Sequence, residues 1–336
     1  MTLVSYVILL APSANRVYAG EAGALVAAEL AVLLGASEPV PLVTLAGIDY
    51  LEVPVETLDD RTRDALGRLS AFYAAYGLEE GRLVPTEIHR PDRLDDDLVS
   101  IPKYAGKTNE QFTRLLVNVT VASMTRTPSG PVTLLDPLCG RGTTLSTGLT
   151  LGCEVAGVDA DLKAIEAYAA FLRTYLRRAR LKHTVEMHPV RRDGRSVGRR
   201  LHATLRLEGE PALGLTVFSG DTRQSAALFG KRTFDAIVTD APYGVVHGSQ
   251  TDVRGGSGRD RSAAGLLAEA LPVWAGQLRS GGALGLSWNT LGLTRERLLD
   301  LAAAAGLEPL DGGPYRRFGH RVDSSIHRDV LVATKP

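Results

Sequence analysis

The stretch Leu134-Leu135-Asp136-Pro137-Leu138-Cys139-Gly140-Arg141-Gly142-Thr143-Thr144 decides the fold. An apolar run leads into two glycines and then into a helix start, which predicts a strand, a tight turn and a helix. Gly140 and Gly142 let a ligand approach the backbone closely, and the helix start offers free N–H groups. A plain strand-to-helix turn is the alternative, and a dinucleotide site would place a third glycine where Leu145 stands.

Strands and helices alternate after this turn. The predicted elements are a strand over 132–135, a helix over 143–151, a strand over 154–158, a helix over 162–176, the strand before Asp240, a helix over 263–278, an apolar run over 283–288, a helix over 295–305 and a strand over 329–333. Such alternation predicts an α/β fold with a Rossmann-like, doubly wound sheet and helices on both faces.

The first 90 residues predict a smaller α+β domain. Its predicted elements are a strand over 4–10, a helix over 20–34, a hairpin of 40–45 and 48–53 across Ala46-Gly47, a helix over 58–73 and a last strand over 82–88. The order β-α-β-β-α-β is that of a ferredoxin-like domain, with the place of the last strand left open. Residues 91–100 predict a linker, so the second domain would span 101–336.

The composition is that of an ordinary globular protein. Of 336 residues, 44% are hydrophobic, and 38 basic residues balance 38 acidic ones, so a nucleic-acid surface would have to be local. Cys139 and Cys153 match no zinc pattern, so we expect no metal site. Low cysteine use suits a cytoplasmic protein. Residues 3–10 lack a charged leader and no run reaches the roughly 20 apolar residues that span a bilayer, so we expect no membrane partner.

Acidic residues also end two later strands. Asp159 comes 23 residues after Asp136, at a position where a carboxylate can bind the two hydroxyls of a ribose. Taken alone, it suits a helix N-cap as well. Asp221, in Ser219-Gly220-Asp221, follows the strand-like run 215–218 and can accept a hydrogen bond from an adenine amine.

The stretch Val238-Thr239-Asp240-Ala241-Pro242-Tyr243-Gly244 follows a buried, strand-like run. The exocyclic amine of a base is a poor nucleophile because its lone pair is delocalised into the ring. The Asp240 carboxylate and the Ala241 carbonyl can accept its hydrogens and favour the positive charge that develops during attack on a methyl-sulfonium. Pro242 rigidifies the turn and Tyr243 can stack on the base. An ordinary strand-end turn is the alternative. Asp136, Asp159 and Asp221 precede this stretch in the chain order that an S-adenosylmethionine pocket requires. This order favours the catalytic interpretation over an ordinary turn.

With these motifs, residues 101–336 resemble the class I S-adenosylmethionine-dependent methyltransferases, in the branch that methylates amino groups with a D/N/S-P-P-Y/F motif. The resemblance implies S-adenosylmethionine as the cofactor and Asp240, Ala241, Pro242 and Tyr243 as the catalytic residues. It assigns these residues to the cofactor: Asp136, Leu138, Cys139, Gly140, Gly142, Asp159, Asp221 and Thr108. Ala241 replaces the usual proline, and since a backbone carbonyl acts there, we expect activity to survive.

The segment Tyr104-Ala105-Gly106-Lys107-Thr108-Asn109-Glu110, followed by Asn118, is similar to the pre-loop helix of the THUMP-associated tRNA guanine-N2 methyltransferases. Residues 108–111 have capping-box spacing. The resemblance implies methylation of guanine N2 in tRNA, although 90 residues match only the ferredoxin-like half of that family's RNA-binding module. Other enzyme possibilities are a DNA adenine-N6 or cytosine-N4 methyltransferase and a protein-glutamine methyltransferase. A non-catalytic RNA-binding protein on this scaffold is the alternative from another class.

A basic insertion occupies about 180–214. Residues 173–206 hold eleven basic residues against Glu186 and Asp193: Arg173, Arg177, Arg178, Arg180, Lys182, Arg191, Arg192, Arg195, Arg199, Arg200 and Arg206. Runs at 183–187 and 202–207 predict a hairpin that can grip nucleic-acid phosphates. A solvated face neutralised by acids elsewhere is the alternative. The glycine-rich segment 247–262 predicts a substrate lid, or a surface loop without a role.

Overall fold

The computed structural model describes residues 5–53, 55, 57–192, 195–242 and 263–336. The predicted lid over 247–262 lies outside them. The helices and strands in chain order are β1 (Ser5–Leu10), α1 (Arg16–Leu34), β2 (Leu42–Leu45), β3 (Ile48–Val53), α2 (Asp60–Arg68), β4 (Phe72–Glu79), β5 (Arg82–Thr86), α3 (Asp97–Ser100), α4 (Glu110–Ala122), β6 (Thr133–Asp136), α5 (Thr143–Thr150), β7 (Glu154–Asp159), α6 (Leu162–Arg178), β8 (Lys182–Arg192), β9 (Arg195–Arg206), β10 (Leu213–Ser219), α7 (Ser225–Phe229), β11 (Phe234–Asp240), α8 (Ala263–Gln277), β12 (Leu278–Asn289), α9 (Arg295–Ala304), β13 (Glu308–Leu310), β14 (His320–Arg321) and β15 (His327–Thr334). Short 3-10 turns lie at Thr222–Gln224 and Gly313–Arg316.

The first sheet is antiparallel, with the strand order β2-β3-β1-β4-β5. Its first four strands have the predicted ferredoxin-like arrangement. The predicted helix over 58–73 is too long, because the segment from Phe72 onward is β4, paired with β1, and burial alternates with a period of two from Ala74 to Leu78. The predicted last strand over 82–88 is therefore an extra edge strand, β5. Ala46 and Gly47 adopt φ of 50° and 81°, the left-handed turn that a two-residue hairpin needs.

Helix α1 is apolar all round because it packs on two sides. Val26 and Leu30 face the core of the first sheet, whereas Leu25 and Ala28 belong to the core of the larger sheet. By length and composition this helix could cross a membrane, contrary to the expectation that no segment could. Packing between two layers accounts for the same composition, since core helices pass the same test.

A buried polar cluster joins α1 to α4. The Glu29 carboxylate is fully buried and accepts hydrogen bonds from Ser70 N (3.0 Å), Ser70 Oγ (2.5 Å) and Asn118 Nδ2 (2.7 Å). Asn118 also donates to the Arg68 carbonyl (2.7 Å). Burial raises the pKa of Glu29 to about 7, although these hydrogen bonds oppose the shift.

The segment predicted as a linker is packed rather than free. Leu94 is buried in the core of the larger sheet, and Arg93 N donates to the Thr150 carbonyl (2.7 Å). The buried Arg114 side chain joins Asp92 (2.7 Å) to the Arg68 carbonyl (3.0 Å). The connection between the two sheets is therefore held on α4.

The described residues of the second sheet form ten strands in the order β13-β15-β12-β11-β6-β7-β10-β9-β8, with β14 paired to β15. Strands β6, β7, β10, β11 and β12 are parallel, and β15 is antiparallel to β12. Helices α4, α5 and α6 share the core on one face, and α8 and α9 that on the other. The predicted Rossmann-like sheet is confirmed. The chain runs outward from β6 to β10 and resumes at β11, so a crevice opens between the carboxyl ends of β6 and β11.

The basic insertion forms the predicted hairpin. Strand β8 pairs with β9 from Lys182↔Arg206 to Arg192↔Arg195, and β9 pairs with β10. The hairpin therefore extends the sheet at the edge beyond β10.

Replacing Glu29 with Gln tests the buried cluster. Because the folded-state pKa lies above the ordinary 4.5, the native carboxyl keeps a proton that the unfolded chain releases. This group's contribution is then most favourable below pH 4.5 and is lost as pH rises to about 7. We expect Glu29→Gln, at pH 8, to be more stable than the native protein by about 1–3 kcal/mol.

Calorimetric melting between pH 5 and 8 measures this effect, with Glu21→Gln, an exposed position on the same helix, as the matched control. A Glu29→Gln profile parallel to that of Glu21→Gln would show that Glu29 is ionised in the fold at all these pH values.

Candidate functional site

A pocket of about 480 Å³ opens at the carboxyl ends of β6 and β11. Its lining comes from the segment before α4, the turn after β6, the end of β11 and the strand β15. The lining includes Tyr104, Thr108, Asp136, Leu138, Cys139, Gly140, Arg141, Asp240, Ala241, Pro242 and Arg328. The structure thus brings most of the predicted cofactor and catalytic residues around one cavity.

Asp136 lies at the bottom of the pocket, 3% exposed. Its carboxylate accepts hydrogen bonds from Leu138 N (3.1 Å) and from the hydroxyl of Thr239 (2.8 Å). Burial raises the pKa of Asp136 to about 7, and the nearby Asp159 carboxylate contributes to the shift. A cation placed in the pocket would favour the ionised carboxylate.

The two glycines of the turn have different roles. Gly140 and Gly142 both adopt positive φ, of 48° and 78°. A Cβ on Gly142 would lie 2.6 Å from the Tyr168 ring, so this glycine is required by packing. Gly140 has open space where a Cβ would be, and it lines the pocket. Its backbone is the part of the turn that a ligand can approach.

Cys139 is structural in this turn. It is buried, its N–H donates to the Val158 carbonyl (3.0 Å), and burial raises the pKa of its thiol well above the usual range. A thiol of this kind is not a nucleophile. Within the described ranges, no group of three or more His, Cys, Asp and Glu side chains could hold a metal ion.

Asp159 is joined directly to the turn. One carboxylate oxygen accepts from Gly140 N (2.7 Å) and the other from Asp161 N (2.8 Å). The N-cap of α6 is Asp161, whose side chain accepts from Lys163 N (2.9 Å), so Asp159 is not the helix cap. Its carboxylate stands beside the pocket without lining it.

Asp221 is not brought to this cavity. Its two oxygens accept from the Arg223 guanidinium (2.6–3.0 Å), and it caps the 3-10 turn at Thr222–Gln224. Arg223 also pairs with Glu269 (2.9 Å). The guanidinium of Arg223, two residues later, thus donates to both oxygens of Asp221, and the predicted contact of Asp221 with an adenine amine stays a prediction.

Asp240 is held by two hydroxyls from different parts of the chain. Ser287 Oγ donates to one carboxylate oxygen (2.6 Å) and Thr108 Oγ1 to the other (2.5 Å). Arg328 Nη2 lies 3.7 Å from the second oxygen. A carboxylate has about four acceptor positions, more than these two hydroxyls use.

Thr108 was predicted as a cofactor contact and as the first residue of a capping box. Instead, Asn109 caps α4 by accepting from Phe112 N (3.0 Å), and this leaves the Thr108 hydroxyl for Asp240. Thr108 lines the pocket beside Asp240, and its predicted contact with the cofactor stays a prediction.

The turn after Asp240 is fixed through its backbone. Ala241 is buried, and its N–H donates to the Ser287 carbonyl (2.8 Å). This hydrogen bond restrains the backbone at position 241, where alanine stands in place of proline. Pro242 is exposed and lines the pocket. Tyr243 lies outside the described residues, so its stacking role stays a prediction.

Sequence reasoning missed Arg328, which connects Asp240 to the N-terminal helix. Its guanidinium lies 4.5 Å from the ring centroid of Phe112. The Phe112 ring contacts His320 (5.1 Å) and Tyr18 of α1 (6.4 Å). Burial lowers the pKa of His320 to about 4, so that ring is neutral. No local pattern marks Arg328, because it reaches the site from an antiparallel strand nearly 90 residues later.

Tyr104 and Arg141 were also missed. The Tyr104 hydroxyl is 2.6 Å from Thr143 Oγ1, and the Arg141 guanidinium lies 5.0 Å from the centre of its ring. Ser287 had a usable signal, since it is a polar residue inside an apolar run that is predicted to be buried.

No family model and no curated protein matches this chain. Solved structures that resemble it include TrmN from Thermus thermophilus, at 13% identity, covering 99% of this chain and 100% of that one, with a TM-score of 0.47. Another is the T. thermophilus 16S rRNA N2 G1207 methyltransferase RsmC in complex with AdoMet and guanosine (16% identity, 88% of this chain, 50% of that one, TM-score 0.39). A third is the rRNA methyltransferase aviRa from Streptomyces viridochromogenes (18%, 72% and 94%, TM-score 0.39). At these similarities, function has to be argued from this chain's own residues.

Proposed function

We propose that this protein transfers a methyl group from S-adenosylmethionine to an exocyclic amine of a nucleic-acid base, with guanine N2 in tRNA as the favoured substrate. The observation that carries the proposal is the Asp240 carboxylate, held by Ser287 and Thr108 in the same cavity as the Asp136–Gly142 turn. The proposal places the reaction in the cytoplasm.

The residues of the turn fit this cofactor. A volume of about 480 Å³ is in the range of small-ligand pockets. The buried Asp136 carboxylate would hold the cationic methionine part, the exposed backbone of Gly140 would lie against the ligand, and Asp159 would hold the ribose hydroxyls. When bound, S-adenosylmethionine supplies a methyl group on a positively charged sulfur.

Asp240 and Ala241 would position the nucleophile. The carboxylate and the Ala241 carbonyl accept the two amine hydrogens, so the nitrogen lone pair points toward the methyl carbon. Transfer would form a C–N bond to the methyl group that the cofactor supplies, and the electron pair of the broken C–S bond would stay on sulfur. The nitrogen becomes cationic, Asp240 stabilises this charge, and the surplus proton then leaves to solvent.

Preference for tRNA rests on two features of the chain. The segment before α4 resembles that of the tRNA guanine-N2 enzymes, and its Thr108 contacts Asp240. The basic hairpin of β8 and β9 extends the same sheet. A DNA amino-methyltransferase would use the same reaction centre, and the nucleosides that lose a methyl group in cells without the gene distinguish the two.

Cofactor binding should depend on pH through Asp136. Its pKa of about 7 in the free protein means that the carboxyl is protonated below pH 7, whereas the positively charged ligand favours the ionised form. Binding then releases a proton. We expect affinity to be constant above pH 8 and to fall by up to about tenfold per unit below pH 7, as measured by calorimetric titration.

The Asp136→Asn variant is the control, because it keeps the side-chain shape and cannot ionise. It should bind more weakly and show only the pH dependence of the ligand itself. A native profile as flat as that of the variant would contradict the role of Asp136.

Asp240→Ala should separate binding from transfer. Cofactor affinity is expected to stay within about threefold of native, while the transfer rate falls by about 10²-fold or more, since the group that stabilises the developing charge is lost. Asp240→Asn keeps one acceptor oxygen and should be intermediate. Equal losses of cofactor affinity and transfer rate in Asp240→Ala would remove Asp240 from the substrate side.

Nucleoside mass spectrometry of tRNA, rRNA and DNA from cells with and without the gene identifies the substrate. Loss of N2-methylguanosine from tRNA alone is the expected result. Loss of a methylated adenine or cytosine from DNA would overturn the choice of substrate while keeping the reaction. A chain that binds no S-adenosylmethionine at millimolar concentration would overturn the enzyme proposal.

A further inference from the structure

The hairpin of β8 and β9 has two chemically different faces. On one face, Val185 and Met187 lie opposite Ala203 and Leu201, and all four pack with the core that contains α6. Residues opposite each other share a face, so the alternate positions form the second face. These are Lys182, Thr184, Glu186 and His188 on β8, opposite Arg206, Thr204, His202 and Arg200 on β9. All of them are exposed or half-buried, so the first face anchors the hairpin and the second is open to solvent.

One end of the hairpin projects past the edge of the sheet where the pocket lies. Ser219, the last residue of β10, is in register with Asp159 at the end of β7. Arg199 N donates to Ser219 Oγ (2.7 Å), and Arg200 lies opposite Phe218. The β9 residues before Arg199 therefore extend beyond this edge, by roughly 13 Å at 3.3 Å per residue. We call residues 189–192 and 195–200 the outer end of the hairpin.

Most cations of this hairpin whose side chains the structure describes are not neutralised by acids of the described residues. Arg199 pairs with Glu166 (2.8 Å). By contrast, Arg191, Arg200 and Arg206 are exposed and form no ion pair with any residue in the described part of the chain. The explanation of the basic run as a solvated face balanced by neighbouring acids therefore applies to Arg199 and not to Arg191, Arg200 and Arg206. The chain has no net charge, so this concentration of free cations is local.

The outer end is at a distance that suits a polymer substrate. Strand β9 is four strands away from β11 in the sheet, which places Arg200 roughly 19 Å from Asp240 at about 4.8 Å per strand. A side chain that far away cannot contact the reacting base. It can contact the backbone several nucleotides along the same molecule, since phosphates follow each other at a few ångström of rise.

We propose that the outer end of the hairpin binds backbone phosphates of the RNA substrate, several nucleotides from the base in the pocket, with Arg200 and Arg191 as contacts. The inference rests on the proposed function, because it takes the RNA as the molecule that enters the pocket. Exposed arginines that pair with no carboxylate of the described residues lose little on binding phosphate, and each releases condensed counterions from the RNA. Contacts of this kind position the substrate without reading its sequence.

The sharpest test reverses one charge at each end of the same strand. Arg200 and Arg206 share the open face of β9, both are exposed, and neither has an ion-pair partner in the described chain, but Arg206 lies at the end away from the pocket. The ligand is tRNA prepared from cells that lack the gene. Arg200→Glu should weaken binding of this tRNA by about fivefold to thirtyfold at 50 mM salt. Its plot of log affinity against log salt should be shallower by about one unit. Arg206→Glu should stay within about twofold of native.

Steady-state methylation gives a second readout. Arg200→Glu should raise KM for tRNA and leave kcat within about twofold, because the chemistry at Asp240 is untouched. Unchanged S-adenosylmethionine affinity in both variants shows that each folds. Equal losses in the two variants, or no loss in either, would overturn the proposal. So would a dependence on Arg200 that appears only with an acidic protein substrate. If Arg200→Glu weakens RNA binding but no RNA is methylated, the phosphate site stands and the proposed function fails.

Discussion

The fixed orientation of the Asp240 carboxylate is the constraint on which the site depends. A carboxylate at a strand end can turn freely, and a free carboxylate would not hold an amine in line with a methyl group. Ser287 orients it from β12, the neighbouring parallel strand, through a register that places the two residues side by side. Thr108 orients it from the segment before α4. The site is therefore assembled by the sheet and by the way in which α4 begins.

That dependence links the N-terminal sheet to the chemistry. Helix α4 carries Phe112, on which the Arg328 guanidinium rests, and Phe112 packs against Tyr18 of α1. Glu29 and Asn118 join the same two helices through buried hydrogen bonds. A protein without α1 would expose the apolar half of α4 and remove the support beneath Arg328. The first 90 residues thus contribute to the structure of the pocket, whatever they bind.

The sequence predicted correctly those segments in which a single local pattern, such as hydrophobic periodicity or a turn motif, indicates one structure. The β/α alternation, the Asp136–Gly142 turn and the Asp240 strand end each depend on residues close in sequence, and the structure places them as expected. The errors fall where two local signals compete. At 58–73 a helical start runs into a strand, and at Thr108-Asn109 two adjacent residues can both cap a helix. Tertiary contacts decide the outcome. Pairing with β1 makes the second part of 58–73 a strand, and the hydrogen bond to Asp240 takes up the Thr108 hydroxyl.

Asp221 and Arg328 show a different limit. Whether a carboxylate is available to a ligand depends on its neighbours in three dimensions. The guanidinium of Arg223, two residues later in the chain, donates to the carboxylate of Asp221. Arg328 reaches Asp240 from the last strand, so only the antiparallel pairing of β15 with β12 brings it there. The sequence pattern alone therefore does not tell which charged side chains bind a ligand and which pair with other residues of the protein. The same reasoning separates Arg199, which is committed to Glu166, from Arg200 beside it, and it gives the basic hairpin a side that is free to meet an anionic polymer.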